Sequence, residues 1–159
     1  MTPEQDVVLA AAINADTDQR VIDALLINDM GSIANVYNEK ASPDFWVYRT
    51  NVNADEVRRE VRLADIAAMT ATNKDRVLSF FTLREEFDGS NADTRDAFTD
   101  ALGGAAGANS RNAIALLWTE TARKAEKLFA VGAGSTGSPA TRGFVGTLSS
   151  YDIAHALGF

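Results

Sequence analysis

Apolar positions recur at helical spacing through most of the chain, broken by short polar or glycine-containing stretches. Thr2-Pro3-Glu4-Gln5 has capping-box spacing with Pro at the first helical position, and it predicts a helix with a stripe of Val7, Val8, Ala11 and Ala12. A second short helix should begin at Asp16 or Asp18, whose carboxylates suit the positive end of a helix dipole, and run through Val21, Ile22, Leu25 and Leu26. Gly31 opens a third, from Ser32 to Asn38. Residues 41–49 then read as an extended segment: Pro43 disfavours helix before it, and Phe45, Trp46 and Tyr48 crowd into four positions. Further helices are expected from Ala54 to about Arg59, with a turn at Leu63 to Met69, from Asn73 to Phe87, and from Asn91 to Leu102 with Gly103-Gly104 as a stop. The clearest periodicity runs from Asn109 to Ala130. There Ile114, Leu117, Trp118, Thr121, Ala125, Leu128 and Phe129 define one face of a long helix, with Glu120 and Lys124 paired i, i+4 on the other side.

After Ala130 the texture changes. Residues 131–140 are small, glycine-rich and uncharged, which marks a loop or arm, and Ser149-Ser150-Tyr151-Asp152 then has the spacing of a capping box opening a terminal helix with Ile153 and Leu157 on one face. The expectation is an all-α small helical bundle over residues 1–130, an extended Gly/Ser-rich arm over 131–148 and a short C-terminal helix over 149–159. The chain begins on acidic residues where a signal peptide is basic, and no apolar run approaches the roughly 20 residues that span a bilayer, so no targeting or membrane segment is expected.

Composition narrows the function. The 159 residues are 46% hydrophobic and 23% charged, enough apolar content for a core. The net charge of −7 disfavours adhesion to nucleic-acid phosphates, and the absence of Cys removes disulfide, thiol and zinc-thiolate chemistry together. Charge is unevenly placed: the first hundred residues carry 10 basic and 19 acidic side chains, the remainder 5 and 3, and residues 128–159 hold only Arg142 and Asp152 as formal charges. A segment so poor in charge is either covered by a partner or folded back on its own domain.

Catalytic and cofactor signatures are weak. Gly132-Ala133-Gly134-Ser135-Thr136-Gly137 lacks the Lys-Ser/Thr that completes a phosphate loop, which leaves it a turn or hinge. His155, the single histidine, falls in the last turn of a helix, where a dipole-stabilising or surface role is expected, and Ser149, Asp152 and His155 on one helix lack an oxyanion site. Asp16-x-Asp18 and Glu85-Glu86 lack the alternating acids, central Gly and terminal Glu of a calcium loop, and read as caps and solvated surface. No enzyme activity, cofactor or metal is expected.

Two blocks carry a family resemblance. Asn38-Glu39-Lys40-Ala41-Ser42-Pro43-Asp44-Phe45-Trp46-Val47-Tyr48-Arg49-Thr50, followed by Val52 and Asp55-Glu56-Val57, resembles a block of a family of small tailed-bacteriophage structural proteins. Ala125-Glu126-Lys127-Leu128-Phe129-Ala130, with Gly132, Gly134-Ser135, Ser138-Pro139-Ala140, Gly146-x-Leu148-Ser149 and Asp152, is similar to that family's C-terminal signature. Weaker similarity runs through Thr70 to Asn73 and Gly103 to Asn109.

The resemblance implies a head–tail connector or adaptor of the virion neck, made in the host cytoplasm. Such a protein is a mainly helical homo-oligomer, typically a dodecameric ring between the portal protein and tail-side neck or tail proteins, with DNA passing through its channel as non-specific cargo. A tail-completion or head-decoration protein is the alternative. On this reading Gly132, Gly134, Ser135, Ser138, Pro139, Arg142, Phe144, Val145 and Leu148 form an intersubunit or portal-contacting arm, removable without loss of the helical fold. Pro43, Phe45, Trp46, Trp118, Leu128 and Phe129 supply the core and family block.

Overall fold

Side-chain caps in the sequence mark several helix starts, and the computed structural model, which describes residues 1–159, places helices behind them. In chain order the elements are α1 (Pro3–Asn14), α2 (Gln19–Leu26), α3 (Met30–Asn38), β1 (Trp46–Tyr48), β2 (Val52–Asn53), α4 (Ala54–Glu60), α5 (Leu63–Ala68), α6 (Ala71–Leu83), β3 (Glu86–Phe87), α7 (Ala92–Ala101), α8 (Ala108–Leu117), β4 (Thr119–Thr121), α9 (Lys124–Phe129) and α10 (Ser150–Leu157). The helices hold 56% of the residues, so the chain is mostly helical. It is not purely all-α as expected. β1 pairs with β4, and β2 pairs antiparallel with β3 through Val52 opposite Phe87 and Asn53 opposite Glu86.

The expected capping boxes at Thr2 and Ser149 both form, and Asp18, Asn53 and Asn91 each accept a backbone N–H at the start of their helix. Each such cap contributes about 1 kcal/mol by satisfying an otherwise orphaned donor.

The chain divides into two units, residues 1–47 with 121–159, and residues 48–120. In the first, α1, α2, α3, α9 and α10 enclose Leu9, Ile13, Val21, Ile33, Tyr37, Ala125, Leu148 and Ile153. Phe129 and Phe144 add a tilted ring pair at 5.6 Å. A smaller cluster joins Val47, Ala122 and Ala140 beneath Phe45 and Ala130. The expected stripe of α1 is corrected here: Leu9 and Ile13 face the core, and Val7 is 69% exposed. Because Val, Leu, Ala and Ile cover nearly every side of this helix, its periodicity does not choose a face.

The second unit packs α4 to α8 around Val52, Val57, Val77, Leu102, Ile114 and an aromatic cluster. Phe98 sits at its centre, with Phe80, Phe87 and Trp118 ring centroids at 4.8, 4.9 and 5.5 Å. Asp65 and Ser110, both buried, form a polar pin between α5 and α8: the Ser110 hydroxyl and amide donate to one Asp65 oxygen at 2.7 and 2.9 Å, and the Arg62 N–H donates to the same hydroxyl at 2.9 Å. These donors hold the Asp65 carboxyl below its usual range.

Two long helices expected from periodicity are shorter. The stretch 109–130 is α8, then β4, then α9, so Ile114 and Trp118 serve the core of the second unit while Ala125, Leu128 and Phe129 serve the first. The break is set by backbone pairing. Trp118 C=O accepts the Arg49 N–H at 2.8 Å, and Ala122 both donates to Phe45 C=O at 2.7 Å and accepts from Ala41 at 2.9 Å. With the helix interrupted, the i, i+4 relation of Glu120 and Lys124 is lost, and Lys124 meets Asp16 instead. Likewise α6 ends at Leu83, and Glu86–Phe87 becomes β3 against β2.

Candidate functional site

The two sequence blocks that carry the resemblance lie about eighty residues apart and are joined in the first unit by main-chain hydrogen bonds. Lys124 N–H donates to Glu39 C=O at 2.8 Å, Trp46 N–H to Gly134 C=O at 2.7 Å, and Ala140 N–H to Trp46 C=O at 2.9 Å. Val131 and Thr141 exchange two bonds of 2.9 Å, which closes the glycine-rich stretch into a loop. Gly134 has φ 68°, and a Cβ there would lie inside the Phe45 ring, so this position requires glycine for both conformation and space.

Residues 131–148 therefore lie along their own unit. Leu148 is buried in the main core, and Gly134 and Ala140 are buried against the first block. The Arg142 side chain, 5% exposed, reaches Glu126 Oε1 at 3.2 Å, while Glu126 Oε2 accepts the Arg123 N–H that opens α9. Phe144 packs on Phe129, and Asn38 binds both the C=O and the N–H of Leu148 at 2.8 Å. Gly132, Ser135 and Ser138 are exposed, Pro139 is half-buried, and Val131 and Val145 project outward at 77% and 55% exposure. Of the family block, Pro43 is exposed, Phe45, Trp46, Leu128 and Phe129 are half-buried in the first unit, and Trp118 is buried in the second.

Beside this paired backbone is a cavity of about 480 Å³ that the sequence did not signal. Small apolar residues of α1, α3 and α9, including Ala12, Val36 and Leu128, form part of its lining. Its charged groups come from distant segments: Asp16, Asp18 and Arg20 at the α1–α2 corner, Glu39 and Lys40 after α3, and Lys124 and Lys127 on α9. Lys124 Nζ and the Tyr37 hydroxyl both donate to Asp16 Oδ2, at 2.7 and 2.9 Å, and the ammonium lies 4.7 Å from the Tyr37 ring centroid. Burial alone would raise the Asp16 pKa, but hydrogen bonds from Lys124, the Asp18 amide and Tyr37 hold it below its ordinary value. Burial and the adjacent carboxylate push the Tyr37 hydroxyl well above the usual phenol range.

Arg20 forks between Asp18 and Glu39, reaching the two Glu39 oxygens at 2.7 and 3.0 Å, and it holds both carboxyls below their usual values. Lys40 and Lys127 line the same cavity without a carboxylate partner, Lys127 lying 5.6 Å from the Phe45 ring centroid.

His155 faces α1, with Nδ1 3.1 Å from Asp6 Oδ2 and its ring stacked on Tyr151. The Ser149 hydroxyl donates directly to Asp152, completing the cap of α10, so these three residues are not strung as a relay. No helix is long and apolar enough to cross a membrane. No protein-family model, curated protein or solved structure matches the chain.

Proposed function

We propose that the chain is a structural virion protein of a tailed bacteriophage, a head–tail adaptor that assembles as a ring between portal and tail and lets DNA pass. The observation that carries this reading is the joining of the two resembling blocks: residues 39–46 and 122–141 pair through their backbones into one object, as a shared structural signature would. Apolar side chains left in water support an assembling role. Leu26 and Ile27 are 78% and 73% exposed at one corner of the first unit, while Leu63, Leu83 and Leu116 are each more than three-quarters exposed on the second. A closed ring needs two different surfaces on each subunit, and Val131 with Val145 offers one contribution from the glycine-rich loop. The acidic balance of −7 suits a channel that DNA slides through without adhering.

Electron microscopy of purified particles, with the chain located by a bound antibody fragment, tests the reading. One ring at the tail vertex is expected. Labelling over the whole shell would assign the chain to head decoration instead, and absence from particles would remove the virion role.

A further inference from the structure

We propose that the cavity of the first unit is a docking site for a second copy of this chain, and that it receives the acidic face of α7 from the neighbouring subunit. The inference rests on the ring reading and names its contact. The first unit carries 6 basic and 10 acidic side chains, yet the cavity gathers four of those bases, Arg20, Lys40, Lys124 and Lys127, against three acids. Arg20 and Lys124 are held by the three acids. Lys40, exposed, and Lys127, half-buried, are in no ion pair and stand above a partly apolar lining. A locally cationic pocket on an acidic body selects a carboxylate-bearing surface, and its spare charges raise the encounter rate with one.

The chain itself offers such a surface. Asp93, Asp96 and Asp100 fall at i, i+3 and i+7 of α7, hence on one face, and all three are exposed and in no ion pair. They span roughly 10 Å of helix at 1.5 Å per residue. The other helices of the second unit do not compete. In α4 Asp55 and Glu56 are in ion pairs with Arg58 and Arg49, and Asp75 of α6 lies between Lys74 and Arg76, whereas Arg95 of α7 is half-buried, donates to the Gly89 C=O and lies over the Tyr48 ring. A contact of cavity with α7 is heterologous, the type that closes a ring, because each copy keeps one cavity and one acidic face for its two neighbours.

Sedimentation equilibrium of the full chain at 50 and 500 mM NaCl tests this, with circular dichroism to verify folding. Lys40→Glu with Lys127→Glu should weaken self-association about tenfold at low salt, as should Asp96→Lys with Asp100→Lys, given two or three screened charge pairs. Combining all four should restore it to within about threefold of wild type. High salt should weaken the wild type and, by screening the repulsion in the two reversed variants, narrow the difference between them.

The chain lacks Cys, so Lys127→Cys with Asp96→Cys introduces the sole thiols, and oxidation should yield a ladder of covalent multimers. Association of the Lys40→Glu, Lys127→Glu variant at wild-type strength, failure of the fourfold variant to recover, or cross-linking confined to monomers overturns the docking site while leaving the ring reading intact. Loss of particle incorporation with self-association unchanged would give the cavity to another virion protein and also overturns it. A wild type that stays monomeric both alone and in particles overturns the ring reading and this contact with it.

Discussion

Arg142 is the single formal charge between Leu128 and Leu148, and the fold takes it out of water rather than displaying it. Its side chain is 5% exposed and its partner Glu126 is 8% exposed, so neither charge has solvent to fall back on if the other is removed. Breaking a buried pair from one side costs about 3–5 kcal/mol, because the remaining ion is left desolvated. Arg142→Met should therefore lower stability by about that amount in urea unfolding followed at Trp46, whereas Arg142→Met combined with Glu126→Gln, which removes the charge and keeps an acceptor for the Arg123 N–H, should recover much of it. A single variant within about 1 kcal/mol of wild type would show that the pair has no structural weight. Gly134 is constrained on different grounds: positive φ and the Phe45 ring both exclude a side chain. Neither constraint was visible in the sequence, where Arg142 and Gly134 both read as members of an intersubunit or portal-contacting arm.

At the level of elements, the glycine-rich stretch belongs to the core of the first unit. Leu148 and Ile153 are buried in its main cluster, Ala140 is buried with Val47 and Ala122, and Thr141 closes a ladder with Val131. The expectation of an arm that can be removed from a folded helical body is thereby replaced. Deleting residues 131–159 removes at least Leu148 and Ile153, worth about 1.5–3 kcal/mol each by burial alone, together with the Arg142 pair. The truncated chain should lose the cooperative unfolding transition reported by Trp46, and a native-like transition there would restore the removable-arm view.

The sequence is informative where structure is local. Thr2 with Gln5 and Ser149 with Asp152 are caps within four residues, and both were readable. It misleads where distant backbone competes. Residues 118–123 keep the apolar spacing of a helix, yet Thr119 and Thr121 are β-branched, and carbonyl and amide partners at Ala41, Phe45 and Arg49 take the chain out of the helix. The cavity was unreadable for the same reason, since its charges come from three segments that only folding brings together.

Across the whole molecule, stability is tied to ionised carboxylates unequally in the two units. In the first, Glu4, Asp16, Asp18, Asp29, Glu39 and Asp152 are all held below their ordinary values by N-cap and side-chain hydrogen bonds or by Lys124 and Arg20. In the second, Asp65 is held low, through Ser110. A carboxyl whose folded pKa lies below its unfolded value adds stability that is fully present above the unfolded value, near 3.8 for Asp and 4.5 for Glu, and is lost as pH falls through the folded one. Acid should therefore weaken the first unit more than the second. The two tryptophans separate them, because Trp46 lies in the first unit and Trp118 in the second. With Trp118→Phe and Trp46→Phe as single-tryptophan reporters, lowering the pH from 7 to 3 should reduce the urea midpoint seen at Trp46 by more than that seen at Trp118. Asp16→Asn should flatten the Trp46 response by removing its most buried depressed carboxylate and should leave Trp118 unaffected. Equal shifts at both reporters would mean that the units unfold as one and that the polar network around Asp16 does not govern the acid limit of the first.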